Sequence, residues 1–398
     1  HTHPPGRLVC RDTELLDRTF DAVRRAAHNL TAVKVGAGIG REERISINRT
    51  LKLKDGQHWT IRQSIPCPPD EDVAELGPVD PDIGILRFDR TDGTPLVVLF
   101  NFACHPLIGV VGGAITANYP GFACRVIEEQ LGHDAMALFL EGAGGDATEV
   151  LYKDVHRPRD AKPIGEVLGL DTLHAMRNIQ TDDARLNVVS QTVELPRRTD
   201  IPQRIAALRQ EQAELLKSLR FMSLNFKTFL PLYLQYALHP ECPSDYSYRY
   251  LHARSIGSNE LDAMDAENRR HIETYLQNTR TMERLSKLQD DIETYERHQK
   301  INDEAGTPTI TAEIMGIRIG ECVLISAPVE MLAEVGLNIK KISPFEYTFI
   351  AAFSNGYMHY GPPAHAYGKG GYETTECFLA PEWQQIYETT AKKILDRL

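Results

Sequence analysis

The sequence has 398 residues, of which 42% are hydrophobic and 25% are charged, and its formal net charge at pH 7 is −11. This composition is typical of a globular protein with a sizeable core, and the acidic balance argues against nucleic-acid binding, which depends on Lys and Arg to neutralise phosphates. No apolar run approaches the roughly 20 residues of a membrane-spanning helix, and the seven scattered cysteines form no C-x-x-C pair. The sequence therefore predicts no transmembrane segment and no structural zinc site, and it leaves the compartment open.

The first third of the chain has mixed helical and strand patterns. Asp12 to Asn29 has helical spacing and predicts an amphipathic helix that covers a sheet. Short runs typical of strands follow at Thr31–Val35 and Arg44–Ile47. The stretch from Asp55 to Asp82 is rich in Pro, Gly and acidic residues and predicts a long irregular loop over a functional site.

A predicted β-hairpin leads to the first candidate functional residue. Asp82–Phe88 and Thr94–Phe102 flank the turn sequence Asp92-Gly93, and the second run leads directly to His105. Open α/β sheets place their chemistry at the carboxyl ends of buried strands, so His105 is a candidate site residue. The alternative is a core histidine satisfied by one backbone hydrogen bond.

Two further segments extend this α/β pattern. A helix is predicted from Ala117 through Leu131, and a buried strand at Ala135–Leu140 precedes the small-residue stretch Glu141–Thr148. Such a stretch indicates either a loop that lets a ligand approach the backbone or a tight turn. A nucleotide-binding loop is not indicated, because no Lys-Ser/Thr follows the glycines.

Residues 201–305 differ from the rest in composition. Gln203–Arg220 and Asn259–Lys300 are charged, free of glycine and helical in period, and a Tyr- and Pro-rich connector joins them. We expect an antiparallel helical hairpin inserted into the sheet domain. It contains no catalytic constellation, so a cover or a surface for a homo-oligomer is the predicted role.

Strand patterns resume after the insertion. Thr309–Ile319 and Glu321–Ile325 are paired across Gly320, and the second run leads to Glu330. The next predicted strand, Tyr347–Phe353, leads to Tyr360, and the chain ends in an amphipathic helix from Glu382 to Leu398. The fold class predicted is α/β, a mixed β-sheet domain with flanking helices and the inserted hairpin.

The polar residues near the strand ends suggest a metal site. His1, His105, Glu330 and Tyr360 each lie at or near the end of a β segment, and two imidazoles with a carboxylate are the usual ligands of a catalytic zinc. In His1-Thr2-His3 an extended backbone would point the two rings to opposite faces, so that one binds a metal and the other has a second role.

An ordered set of motifs carries a family resemblance that extends from the first residue to about residue 373. It comprises His1-Thr2-His3, Ile47-Asn48-Arg49, Gly77–Pro81 with Gly84–Asp89, Asn101–Pro106, Asn118-Tyr119-Pro120-Gly121, Pro328-Val329-Glu330, Asn355-Gly356-Tyr357 with Tyr360, and Gly371-Tyr372-Glu373. The chain resembles the catalytic domain of the neutral/alkaline non-lysosomal ceramidases, particularly their shorter bacterial forms. That domain normally begins before H-T-H, so we expect that an N-terminal part is missing.

The resemblance implies a role for each matching residue. His1, His105, Glu330 and Tyr360 are implied ligands of Zn²⁺. His3 is implied as a second active-site histidine, Arg49 as a substrate-binding residue, Tyr372 as the donor that stabilises the oxyanion, and Thr148 as the counterpart of an active-site serine. For Arg49 the alternative is a solvated surface charge.

These roles imply zinc-dependent hydrolysis of the amide bond of a small amphipathic N-acyl substrate. Thr148 in place of serine, and Glu149-Val150 in place of the Pro-Asn that follows that serine in the family, make ceramide itself a doubtful substrate. Two alternatives stay open. One is a copper oxidative enzyme that uses the amine and ring of His1, and the other is a relative that binds lipids or amides without cleaving them.

Overall fold

The computed structural model describes residues 12–61, 67–132, 134–150 and 156–398. The chain divides into two compact units: a sheet unit, which comprises the chain up to Arg198 together with Gly306–Leu398, and a helical unit, Thr199–Ala305. Among the described residues, every strand belongs to the sheet unit.

The helices are α1 (Asp12–His28), α2 (Asn118–Leu131), α3 (Lys162–Met176), α4 (Ile201–Ser218), α5 (Phe226–Leu238), α6 (Tyr248–Ser255), α7 (Glu260–Ala305), α8 (Ala333–Ile342), α9 (Tyr372–Thr375) and α10 (Trp383–Leu395). The strands are β1 (Val33–Arg41), β2 (Ser46–Asn48), β3 (Thr50–Leu53), β4 (His58–Thr60), β5 (Val73–Leu76), β6 (Asp82–Arg90), β7 (Pro95–Phe102), β8 (Met136–Glu141), β9 (Ala147–Glu149), β10 (Leu186–Pro196), β11 (Thr309–Ile319), β12 (Cys322–Ser326), β13 (Glu330–Met331), β14 (Tyr347–Ala351) and β15 (Tyr360–Gly361).

Two four-stranded sheets form the centre of the sheet unit. The first has the order β1-β6-β7-β8 and the second the order β10-β11-β12-β14. In each sheet the first two pairings are antiparallel and the last, β7 with β8 or β12 with β14, is parallel. Both sheets are therefore mixed, as the sequence predicted, and the expected hairpins β6–β7 and β11–β12 are present.

The two sheets pack face to face through alternate residues of their strands. Leu86 and Phe349 are buried between them, and a methyl group at Gly84 would come within 2.5 Å of the Phe349 ring. The Asn101 amide donates to the carbonyl oxygens of Leu140 and Ile350, both at 2.9 Å, and so joins the two sheets by hydrogen bonds. Because strand side chains alternate, the remaining residues point outward to helices.

Helices cover both outer faces. Helices α2 and α3 pack on the first sheet, where Ile83, Ile85 and Phe100 are fully buried. Helices α8 and α10 pack on the second, around Trp383 and Tyr387. The sheet unit is thus a four-layer helix–sheet–sheet–helix arrangement, and the predicted α/β class is confirmed.

Two expectations for the first third of the chain are wrong. Helix α1 forms, but Leu16 and Phe20 on its apolar face are 68% and 67% exposed instead of covering a sheet, because the sheet faces are occupied by the four helices named above. Outside residues 62–66, the segment 55–82 is less irregular than expected: β4 and β5 pair with β3 in a three-stranded sheet.

Strand β1 is longer than the run predicted at Thr31–Val35. Its alternate glycines Gly36, Gly38 and Gly40 lower the intrinsic strand preference. They are tolerated because this face lies directly against the end of α3 and the residues after it: a Cβ on Gly36 would be 2.2 Å from the Gln180 carbonyl oxygen. Tertiary packing thus overrides local propensity here.

The helical unit contains an antiparallel pair of long helices. Helices α4 and α7 are joined side by side by an ion pair between Arg284 and Glu211 at 2.8 Å and by a hydrogen bond between Gln212 and Gln289 at 3.0 Å. The connector is helical, and in α5 Phe229 stacks on Tyr275 of α7 with ring centroids 4.1 Å apart. Within the described part of the chain, no helix combines the length and apolarity needed to cross a bilayer.

Candidate metal centre

The candidate site lies beyond the carboxyl ends of the parallel strand pairs. Strands β7 and β8 lead to His105 and to the glycine-rich stretch after Glu141, while β12 and β14 lead to Glu330 and Tyr360. The Ala352 N–H donates to the Glu141 carbonyl oxygen at 3.0 Å, which joins the ends of the two sheets. This is the position that α/β sheets favour for ligands.

The glycines after β8 allow close backbone contacts between these segments. A Cβ on Gly144 would be 2.6 Å from the Cys104 nitrogen, and one on Gly145 would be 2.7 Å from the Glu330 carbonyl oxygen. The Gly145 N–H also donates to the Met331 carbonyl oxygen at 2.8 Å. The small residues therefore bring the segments that carry His105 and Glu330 together.

His105 is buried and its ring is held by backbone carbonyls. Its Nδ1 lies 2.6 Å from the Gly144 oxygen and 3.1 Å from the Ala147 oxygen. Carbonyl oxygens only accept, so we assign the proton to Nδ1. The Nε2 atom is then directed at Glu330 Oε2 at 3.0 Å and lies 3.4 Å from the Tyr360 hydroxyl.

Glu330 and Tyr360 are neighbours because β13 and β15 pair in parallel with these two residues in register. Glu330 is 0% and Tyr360 1% exposed. The Glu330 N–H donates to the carbonyl oxygen of His359, which has φ +57°, a sparsely populated conformation for a side chain of this size. Burial raises the pKa of the Tyr360 hydroxyl well above its ordinary value, and the Arg49 charge opposes this rise.

Tyr357 binds the second oxygen of the Glu330 carboxylate. Its hydroxyl donates to Glu330 Oε1 at 2.5 Å, while Oε2 lies towards His105. Burial and the hydrogen bond to Glu330 raise the pKa of Tyr357. The phenol therefore fixes the rotation of the carboxylate and the direction of its other oxygen.

Replacing Tyr357 by phenylalanine is expected to weaken metal affinity by roughly 10- to 100-fold, the usual range for a residue that orients a metal ligand. The carboxylate remains but loses the donor that holds its plane. Competition with a chelator, followed by metal analysis, measures the change. Unaltered affinity would show that Glu330 does not need this donor.

Arg49 is 4% exposed, so the alternative of a solvated surface charge is wrong. Its Nε donates to Glu373 Oε1 at 2.8 Å, and its Nη2 donates to the Gly145 carbonyl oxygen and the Tyr360 hydroxyl, both at 3.0 Å. The guanidinium carbon lies 5.7 Å from the ring centroids of Tyr360 and Tyr372. These contacts orient Tyr360, while direct substrate binding by Arg49 stays a prediction.

Tyr372 and Glu373 lie on the other side of Arg49. The Tyr372 ring meets the Tyr360 ring edge to face at a centroid distance of 5.4 Å, and its N–H donates to Thr60 Oγ1 at 3.0 Å. The same threonine donates to Glu373 Oε2 at 2.8 Å. Strand β4 thus holds the Tyr372–Glu373 turn beside Tyr360.

Thr148 and Asp146 have structural partners. Thr148 forms a backbone bridge to His105, and its hydroxyl donates at 3.2 Å to the buried carboxylate of Glu149. Asp146 accepts from the Ala333 N–H at the start of α8 (2.8 Å) and from Asn48 (2.7 Å). Burial raises the pKa of Asp146 to about 6, although both hydrogen bonds lower it. A catalytic role for Thr148 stays a prediction.

His1 and His3 lie outside the described residues, so their predicted roles stay predictions. Of the predicted metal ligands, the structure brings His105, Glu330 and Tyr360 together, with Arg49 and Tyr372 adjacent to them. Tyr357 and Glu373 complete the arrangement; sequence reasoning assigned them no role, although both belong to the recognised motifs N-x-Y-x-x-Y and G-Y-E.

The donor set fits a metal ion. With a proton on Nδ1, a neutral His105 directs the Nε2 lone pair at a carboxylate oxygen 3.0 Å away. Two acceptors at this distance require a positive charge between them, either a proton or a metal ion. The His105 Nε2 atom lies 3.0 Å from the carboxylate oxygen and 3.4 Å from the phenol oxygen, separations that suit a small ion whose bonds are about 2.0–2.2 Å long.

The comparisons with known proteins found similarity in structure but none in sequence families or curated proteins. No family model and no curated protein matches the sequence. Among solved structures, the chain is similar to the neutral ceramidase from Pseudomonas aeruginosa, with a TM-score of 0.55 and 15% identity over 97% of this chain and 56% of that one. It is also similar to a ceramidase complexed with C2, with a TM-score of 0.53 and 14% identity over 96% of this chain and 58% of that one. The chain thus spans little more than half the length of either, and the fold it shares with them is that of neutral ceramidase.

Proposed function

We propose that this protein is a zinc-dependent hydrolase that cleaves the amide bond of an N-acylated, lipid-like substrate. The observation that carries the proposal is that the Glu330 carboxylate and the Tyr360 phenol both lie near the His105 Nε2 atom, at 3.0 and 3.4 Å. The structural neighbours are ceramidases by name, which favours amides over esters or phosphates as the substrate class.

His105, Glu330 and Tyr360 would hold the zinc ion, and the motif resemblance adds His1 as a fourth ligand. When bound, zinc polarises a carbonyl and lowers the pKa of water towards ~7. The Arg49 guanidinium donates to the Tyr360 hydroxyl, and its positive charge favours the Tyr360 oxygen as an electron-pair donor to a metal ion. Burial of Tyr360 acts in the opposite direction.

The remaining residues act on the substrate. Tyr372, packed against Tyr360, would donate a hydrogen bond from its hydroxyl to the oxygen that becomes negative when the amide carbonyl is attacked. His3 would pass a proton to the leaving amine. Because Tyr357 donates to one oxygen of the Glu330 carboxylate, this group cannot rotate freely and would keep its other oxygen in position while the amide is cleaved.

The proposal is tested by metal analysis of the purified protein together with hydrolysis of a panel of N-acyl substrates of different chain length and head group. About one zinc per chain with amide cleavage supports it. Copper with an uncleaved panel favours the oxidative alternative, and zinc with binding but no cleavage favours a non-catalytic relative. Absence of any metal requirement would overturn the zinc assignment.

The chain offers a matched control pair for this experiment. His365 and Glu334 form another histidine–carboxylate contact, at 2.7 Å, but their side chains are 47% and 32% exposed. Alanine at His365 should leave metal content and hydrolysis unchanged, since no further ligand faces this exposed pair among the described residues. A similar loss for both histidines would indicate a general effect of removing an imidazole.

Replacing Tyr372 by phenylalanine should lower kcat by roughly 100-fold, the order expected for one oxyanion donor. Zinc content and KM should change little, because only the hydroxyl is removed and the ring still packs on Tyr360. Tyr347→Phe is the control, because Tyr347 lies at the amino end of β14, whereas the candidate site lies beyond its carboxyl end. Equal kcat for Tyr372→Phe and the parent would remove Tyr372 from the reaction.

A further inference from the structure

Helix α5 of the helical unit has two apolar faces. One face, with Phe229 and Tyr236, packs on Ile272 of α7. The adjoining face carries an outer stripe, defined here as Phe226, Leu230, Tyr233, Leu234 and Leu238, whose members recur at helical spacing and are 39–71% exposed. The Tyr233 ring at the edge of this stripe stacks on Phe229 with centroids 5.4 Å apart. A soluble helix normally exposes polar residues on this side, so the stripe requires an explanation.

The segment around α5 is apolar and aromatic as a whole. Residues 221–256 hold eight of the 30 Phe, Tyr and Trp residues of the chain. Phe221 is 94% exposed, and Tyr248 and Leu251 of α6 are also largely exposed. Aromatic rings with an apolar body and a polar tip are suited to the boundary between water and lipid.

The charge of this segment is opposite to that of the chain. Residues 217–256 contain five basic side chains, all exposed, and only two acidic ones, Glu241 and Asp245, although the whole chain carries −11. Within residues 199–305, all of which the structure describes, none of the five forms an ion pair with an acidic side chain of this unit. The basic residues are Lys217, Arg220, Lys227, Arg249 and Arg254.

We infer that the outer stripe of α5 docks onto the anionic surface of a lipid bilayer. Apolar side chains flanked by unpaired Lys and Arg are the pattern of a helix that lies in the membrane interface, where the apolar face enters the acyl boundary and the basic residues meet anionic headgroups. A second copy of this chain fits less well as the partner. A two-fold contact through the stripe would bring the Lys227 side chains of the two copies towards each other, and their like charges repel. This inference rests on the helical unit alone and does not depend on the proposed hydrolase activity.

Flotation of the full chain with vesicles tests this docking. Vesicles of phosphatidylcholine and phosphatidylserine in a roughly two-to-one ratio should bind the protein at least ~10-fold more strongly than pure phosphatidylcholine. Raising NaCl from ~0.1 to ~0.5 M should weaken this binding, since the basic residues are exposed. Equal binding to both vesicles, or none, would overturn the inference.

Two variants localise the contact. Phe226→Ser with Leu238→Ser should reduce vesicle binding by about tenfold or more, because both side chains are more than half exposed and would enter the lipid. Lys227→Glu with Arg254→Glu should abolish the preference for phosphatidylserine without altering the apolar stripe. The matched control, Leu216→Ser with Ile301→Ser, removes two exposed apolar side chains of α4 and α7 and should bind as the parent does.

Sedimentation velocity without vesicles tests whether a second copy of this chain, instead of lipid, binds the outer stripe. A concentration-dependent dimer that Phe226→Ser with Leu238→Ser dissociates would replace the lipid surface by a homo-oligomer. Circular dichroism of each variant verifies folding. If the serine variant is misfolded, the charge variant still tests the inference, because its exposed substitutions leave the packing of α5 on α7 intact.

Discussion

Replacing His105 by alanine is expected to remove the metal and to reduce amide hydrolysis by more than the ~100-fold expected for loss of a ligand-orienting residue such as Tyr357. The substitution deletes the only ring nitrogen that faces both Glu330 and Tyr360 in the described structure. Metal analysis after gel filtration and initial rates on the cleaved substrate measure both effects. Full zinc content and full activity in the variant would refute the metal assignment.

A metal-free ion pair between His105 and Glu330 predicts a different pattern. Alanine at His105 would then remove the positive partner of a buried carboxylate and cost about 3–5 kcal/mol of unfolding free energy, while chelators would leave the parent unaffected. A zinc chelator applied to the parent therefore separates the two cases. Inactivation by chelator with recovery on added zinc supports the metal, and insensitivity supports the ion pair.

Replacing Arg49 by methionine is expected to lower the free energy of unfolding by about 3–5 kcal/mol, because Glu373 would remain charged and buried without its partner. Adding Glu373→Met should restore most of this stability, since no unpaired charge is then left. Hydrolysis should stay low in the double variant, because Tyr360 has lost the donor that orients its hydroxyl. Denaturant unfolding and kcat/KM measure the two effects separately.

A direct substrate role for Arg49 predicts the reverse. Stability would then change little, and Arg49→Met would mainly raise KM. Arg284 of α7 and Glu211 of α4, paired at 2.8 Å, are the control, since their side chains are 45% and 40% exposed and no buried charge would be left. Arg284→Met should cost less stability than Arg49→Met and leave hydrolysis unaltered. Recovery of activity in the Arg49→Met, Glu373→Met variant would show that Arg49 does not position Tyr360.

The strong local patterns of the sequence predicted part of the sheet unit, whereas no prediction was made for α3, β10 or α8. The β6–β7 hairpin follows from two apolar runs around Asp92-Gly93, and its residues alternate between two buried faces. The periodic helices α4 and α7 were predicted from their charge and spacing. In contrast, β1 was largely missed, because its glycines weaken local strand preference and form a strand only where α3 packs closely.

The sequence by itself identified His105, Glu330, Tyr360 and Arg49 as candidate site residues, through their positions near the ends of predicted strands and within an ordered set of motifs. It could not place them relative to one another, because 225 residues separate His105 from Glu330. Tertiary structure decided their convergence: the parallel pairing of β13 with β15 sets Glu330 beside Tyr360, and the glycines after β8 admit His105. It also decided that Arg49 is buried against Glu373 and Tyr360, since a local sequence pattern cannot distinguish a solvated arginine from one enclosed by residues more than 300 positions away.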